Sequence, residues 1–240
     1  MKMQRIQKII SAAGFCSRRE AENLIAKGAV KCNNNTVMLG DKAYSTDYIT
    51  IYNKHIKINR KEDYLYIMLN KPRGYVTTMK DERGRKTVRS LVERLGVRVY
   101  PIGRLDLKSE GLLLLTNDGN FANFVMHPSN KIEKTYSVTI DKKINEEDIN
   151  IIENGVYINN VKTAPCKLYI KLNSTSKSIV IFKMYEGKKR EIRNMVAKVL
   201  NANVKKLKRI KIGSLSLGSL KVGQYRKLKP SEVNAILKHS

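Results

Sequence analysis

The sequence predicts an α+β fold with a mixed, largely antiparallel sheet, preceded by a small N-terminal α/β module. Strand-length and helix-length segments are mixed in it without a regular βαβ period. The apolar pattern also changes after a polar stretch at residues 59–63, which we interpret as a short linker. We therefore predict two domains, residues 1–60 and residues 64–240, each with its own core.

The N-terminal module contains two predicted helices. Ile6, Ile9 and Ile10 fall on one face of the first. Ser17 and Glu20 have the spacing of a capping box, so the second helix should begin there. Asparagine tolerates the left-handed conformation of a tight turn, so the asparagines at 33–35 should join two strands. Strands are predicted at residues 29–32, 37–39, 48–52 and 56–58.

The longer second part alternates apolar runs of strand length with amphipathic stretches of helix length. Strands are predicted at residues 64–69, 75–78, 99–102, 112–115, 136–140, 168–172 and 179–184. Helices are predicted at residues 87–95, 121–126, 146–153, 191–200 and from 231 onward.

Composition points to a polyanionic partner. The chain contains 47 Lys+Arg against 21 Asp+Glu, a formal net charge of +26, and 42% hydrophobic residues. That apolar content suffices for packed cores, so the charge must lie on folded surfaces. Such an excess destabilises a compact protein unless a polyanion binds. Nucleic acid is the first candidate, and an anionic membrane is the second.

Several other classes of protein are disfavoured. No apolar run approaches the ~20 residues of a membrane span, and residues 1–6 lack the apolar core of a secretion signal. Three cysteines without C-x-x-C spacing indicate reduced thiols in the cytoplasm rather than disulfides or zinc ligands. With neither a metal-ligand cluster nor a phosphate-binding glycine loop, we expect no metal and no cofactor.

The loop at residues 103–111 is the best candidate for chemistry. It lies between two predicted buried strands, which would hold its side chains on a rigid support. Glycines bracket it, and it contains two carboxylates, two bases and one hydroxyl. From the residues alone, a local ion pair between Arg104 and Asp106 is the more common explanation of this pattern.

The order of four motifs resembles that of a known family. GRLD at 103–106, followed by SEGLLLLTNDG at 109–119, resembles the signature of the RsuA/RluB family of ribosomal RNA pseudouridine synthases. Three further segments agree in order: LNKP with GYV at 69–76, EKTY at 133–136 and EGKKREIRNM at 186–195. The N-terminal module is similar to an S4 RNA-binding domain, although CNN at 32–34 stands where that pattern usually has Val-Asn-Gly.

The resemblance implies an isomerase that converts uridine to pseudouridine. Asp106 would attack a flipped-out nucleotide, at either the ribose or the base. The glycosidic bond would break, the uracil would turn, and a carbon–carbon bond would replace the carbon–nitrogen bond. A carboxylate suits this role because it is ionised at neutral pH. The reaction involves no redox change, so it requires no metal, cofactor or nucleotide.

Four further positions match the family's active-site residues. Tyr136 would pack on the target base, Arg193 would pair with the aspartate, and Leu207 would form the apolar floor of the pocket. Arg104 would fill or brace the RNA stack after the base leaves. The structural alternatives are an ordinary strand tyrosine, a solvated helix arginine and a core leucine.

Two basic segments are candidate RNA-binding surfaces. Residues 1–60 contain 11 Lys+Arg and 4 Asp+Glu, a net +7, and residues 183–211 contain 11 and 2, a net +9. Alternation at residues 205–211 predicts a basic, exposed strand face. The alternative is a set of solvated surfaces, but the total charge favours phosphate contacts. The residues we predict to bind RNA are Arg5, Lys8, Arg18, Arg19, Lys27, Lys188, Lys189 and Arg190.

The target is expected to be ribosomal RNA. Segments VYPI at 99–102, FAN at 121–123, MHP at 126–128 and TAP at 163–165 resemble the RluB branch, which implies 23S RNA, free or within an assembling large subunit. The alternatives are a 16S enzyme of the RsuA type and a non-catalytic ribosome-binding or assembly protein. We expect a monomeric, cytoplasmic protein without a membrane partner.

Overall fold

The structure, a computed structural model, describes residues 2–57 and 64–238. The chain divides into two compact units. The first joins the N-terminal 65 residues with Leu95–Val99 and Asn117–Gly119, and the remainder forms the second. The predicted linker at 59–63 and the end of the predicted strand at 56–58 lie outside the described residues.

The first unit packs two helices with short antiparallel strands. Its helices are α1 (Ile6–Ala12) and α2 (Arg18–Ala26), and its strands are β1 (Gln4–Arg5), β2 (Val30–Cys32), β3 (Asn35–Thr36), β4 (Lys42–Ala43), β5 (Ile49–Ile51) and β6 (Lys54–His55). Strands β3, β2, β5 and β6 form one sheet in that order, and β1 pairs with β4. The Ser17 hydroxyl accepts a 3.1 Å hydrogen bond from the Glu20 amide, which confirms the predicted start of α2. Ile6, Ile10 and Ile49 are buried in one apolar cluster.

Two hairpin strands begin earlier than predicted. The strand predicted at 37–39 lies at Asn35–Thr36, and the strand predicted at 56–58 lies at Lys54–His55. In each hairpin both turn residues have positive φ, 49° and 70° at Asn33 and Asn34, and 49° and 62° at Tyr52 and Asn53. Such a pair closes a hairpin with a two-residue loop, which leaves the next residues already paired.

The second unit is built on one large sheet with helices. Its strands are β7 (Tyr66–Lys71), β8 (Tyr100–Ile102), β9 (Glu110–Thr116), β10 (Lys134–Ile140), β11 (Tyr157–Ile158), β12 (Val161–Lys162), β13 (Lys167–Ser174), β14 (Lys177–Met184), β15 (Val204–Ile212), β16 (Leu215–Ser216) and β17 (Tyr225–Lys227). Its helices are α3 (Val88–Val92), α4 (Gly119–Met126), α5 (Glu146–Glu153), α6 (Glu191–Leu200) and α7 (Pro230–Leu237), with short 3₁₀ turns at Glu93–Leu95 and Pro128–Asn130. No helix in the described ranges has the length and apolar character needed to cross a membrane.

The strand predicted at 75–78 is absent. In this segment only a single bridge forms, between Val76 and Thr87. The Thr78 amide donates a 2.9 Å hydrogen bond to the Val76 carbonyl, and this tight turn diverts the chain before a strand can form.

The sheet confirms the predicted fold class. Its order is β13-β14-β10-β15-β9-β7-β17, with β16 added to β15 and β8 added to β9. Within this sheet β9 and β15 run parallel, and the other described pairs are antiparallel. The two partners of the parallel pair are far apart in sequence, so their pairing joins an early and a late part of the chain.

Strand β9 is buried on both faces. Leu112 and Leu114 pack with Phe121 of α4 and Ile236 of α7. Successive strand residues point to opposite faces, so Leu113, which is fully buried, points away from that cluster. The apolar run in the sequence is therefore continuous rather than alternating, as in other strands that are covered on both faces.

Gly111 allows β9 and β15 to approach closely. Its φ is +103°, and a Cβ placed on it would lie 2.2 Å from the Arg209 carbonyl oxygen. Arg209 itself is buried, with 5% of its surface exposed, and its Nε donates a 2.7 Å hydrogen bond to the Leu112 carbonyl. The predicted exposed basic face of residues 205–211 is therefore wrong at Arg209. Residues 206–209 pair with β10 in a regular register, so Arg209 lies on the same buried face as Leu207, two residues before it.

We expect Gly111→Ala to destabilise the protein by roughly 2–5 kcal/mol. The left-handed conformation costs an alanine about 1–2 kcal/mol, and overpacking against the β15 backbone typically adds about 1–3 kcal/mol. Thermal and urea unfolding followed by circular dichroism would measure the loss. Gly218→Ala is the matched control, because Gly218 also has positive φ but no atom within 4 Å of the added Cβ. Equal losses in the two variants would contradict the role of the close approach.

Candidate active site

The loop between β8 and β9 is held through its backbone. Thr77 Oγ1 donates a 2.7 Å hydrogen bond to the Leu105 carbonyl and accepts one from the Leu105 amide. The Ser109 amide donates to the Asp106 carbonyl at 2.9 Å, which closes a turn around the intervening residues. Asp106 therefore lies between two anchored positions, and its half-buried side chain extends from a fixed backbone.

Lys71 supports the same turn from within the protein. Its side chain is completely buried at the end of β7. Nζ lies 2.9 Å from the Ser109 carbonyl, 3.0 Å from the Pro72 carbonyl and 3.3 Å from the Asp106 carbonyl. Burial lowers the pKa of Lys71 to about 8, and the negative charges of Asp106 and Glu110 oppose that fall. A buried ammonium group thus holds the carbonyl oxygens of the turn together.

A cavity of about 390 Å³ opens beside this turn. It brings together seven of the residues predicted from the sequence, namely Arg104, Asp106, Tyr136, Lys188, Lys189, Arg190 and Leu207. Its volume falls in the range of small-molecule sites, about 300–1,000 Å³. The Asp106 carboxylate, an aromatic ring and an apolar floor with a basic edge could hold a planar, uncharged base attached to an anionic backbone.

Tyr136 and Leu207 form the apolar part of the cavity from neighbouring strands. Leu207 of β15 pairs with Val138 of β10, two residues beyond Tyr136 on the same strand. Both side chains are more than nine-tenths buried. A Cβ placed on Gly187 would lie 3.8 Å from the Tyr136 hydroxyl, so the basic segment passes close to the ring.

Arg193 of α6 binds main-chain carbonyls rather than a carboxylate. Its two terminal nitrogens donate to Val204 at 2.7 Å and to Lys108 at 3.0 Å. Asp106 makes no ion pair with any described residue. Burial lowers the pKa of Arg193, while the charge of Asp106 opposes the change, so the two groups interact electrostatically at longer range. The direct pair implied by the resemblance is therefore not formed in this structure.

Two glutamates bracket the basic segment at the mouth of the cavity. Glu191 is buried, and its Oε2 accepts a 2.8 Å hydrogen bond from the Lys188 amide. The Glu186 carboxylate accepts from the Ala164 amide at 2.6 Å and contacts Lys188 Nζ at 2.9 Å. Burial raises the pKa of Glu191 to about 7, and a hydrogen bond with Glu186 contributes to the rise. Burial alone would raise the pKa of Glu186, but the bonds with Glu191 and the Ala164 amide lower it. Glu191 therefore binds a proton more readily than Glu186 does.

The predicted RNA-binding residues lie mostly at the surface. Lys188, Lys189 and Arg190 are exposed at the edge of the cavity. In the first unit, Arg5, Arg18, Arg19 and Lys27 are exposed and Lys8 is half-buried.

Sequence reasoning missed Lys71 and Glu191. Lys71 lies within a matched motif, but nothing in the pattern of the strand shows that a lysine at its end is buried. Glu191 is one of only two acids in a segment of net +9, and that imbalance is the signal that could have drawn attention to it. Within residues 2–57 and 64–238 no three His, Cys, Asp or Glu side chains are grouped closely enough to hold a metal ion.

Two family models together match most of this chain. Residues 65–198 match the family model described as RNA pseudouridylate synthase, and residues 4–42 match the S4 domain. Ribosomal large subunit pseudouridine synthase B of Bacillus subtilis is 41% identical, over 98% of this chain and 96% of the relative. The dual-specificity RNA pseudouridine synthase RluF of Escherichia coli K12 is 36% identical, over 98% and 78%. A crystal structure of a pseudouridylate synthase covers 97% of this chain and 99% of its own, with 30% identity and a TM-score of 0.70.

We expect Glu191→Gln to remove a pH dependence of stability. Because the folded pKa of about 7 exceeds the ordinary value of 4.5, the fold favours the protonated carboxyl. The wild type therefore loses this contribution to its stability as the pH rises from 4.5 through 7. A glutamine stays neutral over that range and can still accept the hydrogen bond from the Lys188 amide. Melting temperatures of both proteins from pH 4.5 to 8 would show the difference growing in favour of the variant.

Glu147→Gln is the control for this comparison, since Glu147 is an exposed carboxylate in the first turn of α5. A difference between wild type and Glu191→Gln that stays constant across the pH range would contradict the raised pKa of Glu191.

Proposed function

This chain belongs to the RNA pseudouridylate synthase family, and on that premise we propose that it isomerises a uridine of 23S ribosomal RNA to pseudouridine. The observation that supports the chemistry is that Asp106, Tyr136 and Leu207 line the same cavity. The observation that supports the substrate is the whole-chain similarity to a ribosomal large subunit pseudouridine synthase. A non-catalytic ribosome-binding protein would have no need for this set of side chains in one cavity.

We assign the catalytic step to Asp106. Its carboxylate has no ion-pair partner among the described residues, so its charge is available to a nucleotide in the cavity. Attack at either the ribose or the base leads to the same exchange. The bond between C1′ and N1 breaks, the uracil rotates, and C1′ bonds to C5. C5 loses a proton and N1 gains one, so atoms and electrons balance without an oxidant or a cofactor.

The other residues support this step in our proposal. Tyr136 stacks on the uracil and Leu207 forms the floor beneath it. Arg193 holds the backbone at Lys108 and contributes positive charge near the carboxylate. Arg104, which is exposed beside Asp106, fills the space that the flipped nucleotide leaves in the RNA stack. Lys188, Lys189 and Arg190 contact phosphates at the edge of the cavity.

We further propose that residues 1–60 are an S4-like RNA-binding domain and residues 64–240 the catalytic domain. The S4 match at 4–42 and the synthase match at 65–198 support this division. We also propose that the protein acts as a monomer. An enzyme that modifies ribosomal RNA, free or in an assembling large subunit, would act in the cytoplasm. Mapping pseudouridines in 23S and 16S RNA with and without the protein would identify the target uridine. It would also decide between a 23S and a 16S substrate.

We expect Asp106→Asn to lower turnover by roughly 10⁴-fold or more, the scale seen when an attacking group is removed. RNA binding should remain near wild type, because the binding charges lie on other residues. Tritium release from ribosomal RNA containing 5-tritiated uridine measures turnover, and filter binding measures affinity. Glu110→Gln is the control, since Glu110 is the other carboxylate of the loop and pairs with Lys206 at 3.2 Å. Substantial turnover by Asp106→Asn would exclude the proposed mechanism.

We expect neutralising Arg18, Arg19 and Lys27 together with glutamine to weaken RNA binding and to reduce its dependence on salt. Each phosphate contact to single-stranded RNA contributes about 0.7 to the logarithmic salt slope, so three contacts contribute about 2. Binding titrations at salt concentrations between about 50 and 200 mM, where such effects are large, would measure the change. Tritium release at saturating RNA should persist.

The matched control neutralises three exposed basic residues elsewhere in the chain, Lys143, Lys171 and Lys177. Lys177 begins β14, whose last residue, Met184, lines the cavity about 23 Å away along the strand. If both triple variants lose the same salt slope, binding depends on total charge and not on the S4-like surface.

A further inference from the structure

A second cavity lies on the other side of the Arg104–Asp106 segment. Its volume is about 550 Å³, and its walls are Val76–Thr78, Lys80–Arg83 with Arg85, and Arg104–Leu107. It shares Arg104, Leu105 and Asp106 with the cavity proposed to hold the target uridine. The step from residue 104 to residue 106 spans at most about 7 Å of backbone. A nucleotide that adjoins one held in the first cavity is therefore within reach of the second.

The charged loop of this cavity is ordered by one carboxylate. Asp81 accepts hydrogen bonds from the backbone amides of Arg83 at 3.2 Å and Arg85 at 2.9 Å. It also accepts from Arg85 Nη2 at 2.6 Å and Nε at 3.2 Å. The Asp81 side chain is only 6% exposed although the loop lies at the surface. The loop is therefore preorganised by its own contacts, and not by an apolar core.

The side chains that remain are donors without acidic partners. The charges of Asp81 and Arg85 offset each other. Lys80, Arg83 and Arg104 are exposed, and none of them forms an ion pair with a described residue. The carboxylates left in the lining are Glu82, which is exposed, and Asp106, which faces the first cavity as well. Exposed guanidinium and ammonium groups on an ordered loop are suited to bind a phosphate.

We propose that this second cavity binds the ribose-phosphate of the nucleotide that adjoins the target uridine, with Arg83 as the phosphate ligand. The inference rests on the proposed function, because a neighbouring nucleotide is present only if a polynucleotide enters the first cavity. The preorganised loop would fix the strand on one side of the flipped nucleotide, while the basic segment 188–190 contacts it at the edge of the first cavity. The target uridine would then be held from both sides of the Asp106 turn.

The test combines a change in the protein with a change in the RNA. The substrate is an oligonucleotide from a ribosomal RNA segment that the wild type binds, with a neutral methylphosphonate at the phosphate either 5′ or 3′ of its single uridine. Binding is measured for the wild type, Arg83→Gln, Arg83→Lys and the control Arg89→Gln. Arg89 is an exposed arginine of α3 that does not line the cavity.

With wild type, neutralising the contacted phosphate should weaken binding roughly 10- to 100-fold, the scale of a hydrogen bond to a charged group. With Arg83→Gln the unmodified RNA should bind about as weakly, and the same methylphosphonate should have little further effect. Arg83→Lys should restore part of the sensitivity, and Arg89→Gln should respond as wild type does. Such coupling at one of the two phosphates supports the proposal and tells which neighbour occupies the cavity.

Independent losses at both phosphates, with the methylphosphonate as harmful to Arg83→Gln as to wild type, would overturn the proposal. Tritium release from the unmodified oligonucleotide is measured in parallel. Turnover without coupling rejects the second cavity and leaves the proposed function standing. Coupling without turnover rejects the proposed function and retains an RNA-binding cavity.

Discussion

The parallel pairing of β9 with β15 is the contact on which the rest of the second unit depends. Strand β9 follows the Asp106 loop, and β15 lies beside β10, which contains Tyr136. The parallel register covers only two residue pairs, Lys208 with Glu110 and Arg209 with Gly111. The buried Arg209 side chain extends the contact by one bond, to the Leu112 carbonyl. Residues that are about 100 positions apart in sequence meet in one cavity because this short junction forms.

Two positive side chains position the loop without forming an ion pair with the Asp106 carboxylate. Lys71 and Arg193 direct their donors to main-chain carbonyls of residues 72, 106, 108, 109 and 204. A direct ion pair with Asp106 would have to be broken before the carboxylate could act, which would cost part of the binding energy of the substrate. Two nearby cations that bind the backbone instead keep the charge compensated at a distance. The geometry is thus fixed without occupying the Asp106 oxygen atoms that we propose to react.

The sequence predicted the fold class and most of the cavity, but not how the cavity is supported. Helices 146–153 and 191–200 have the predicted bounds because the apolar spacing of both, and the Asn145 capping box of the first, are local features. Two hairpin strands begin earlier than predicted because each of their turns contains two left-handed residues. The spacing of apolar residues does not specify such a turn. The burial of Arg209 depends on the close approach of β9 about 100 residues earlier, and the burial of Lys71 depends on a turn nearly 40 residues away. Such long-range contacts leave no periodic trace in the sequence.

The way in which Lys71 is used has a consequence for the evolution of the loop. Because Nζ binds carbonyl oxygens, which every amino acid provides, the turn from Asp106 to Ser109 can be held whatever side chains lie between them. Leu107 and Lys108 are both exposed, so replacing them removes little packing. These two positions are free to diversify while the carboxylate next to them keeps its place. A lineage of such proteins could therefore adapt to new RNA surfaces at the rim of the reaction centre without rebuilding it.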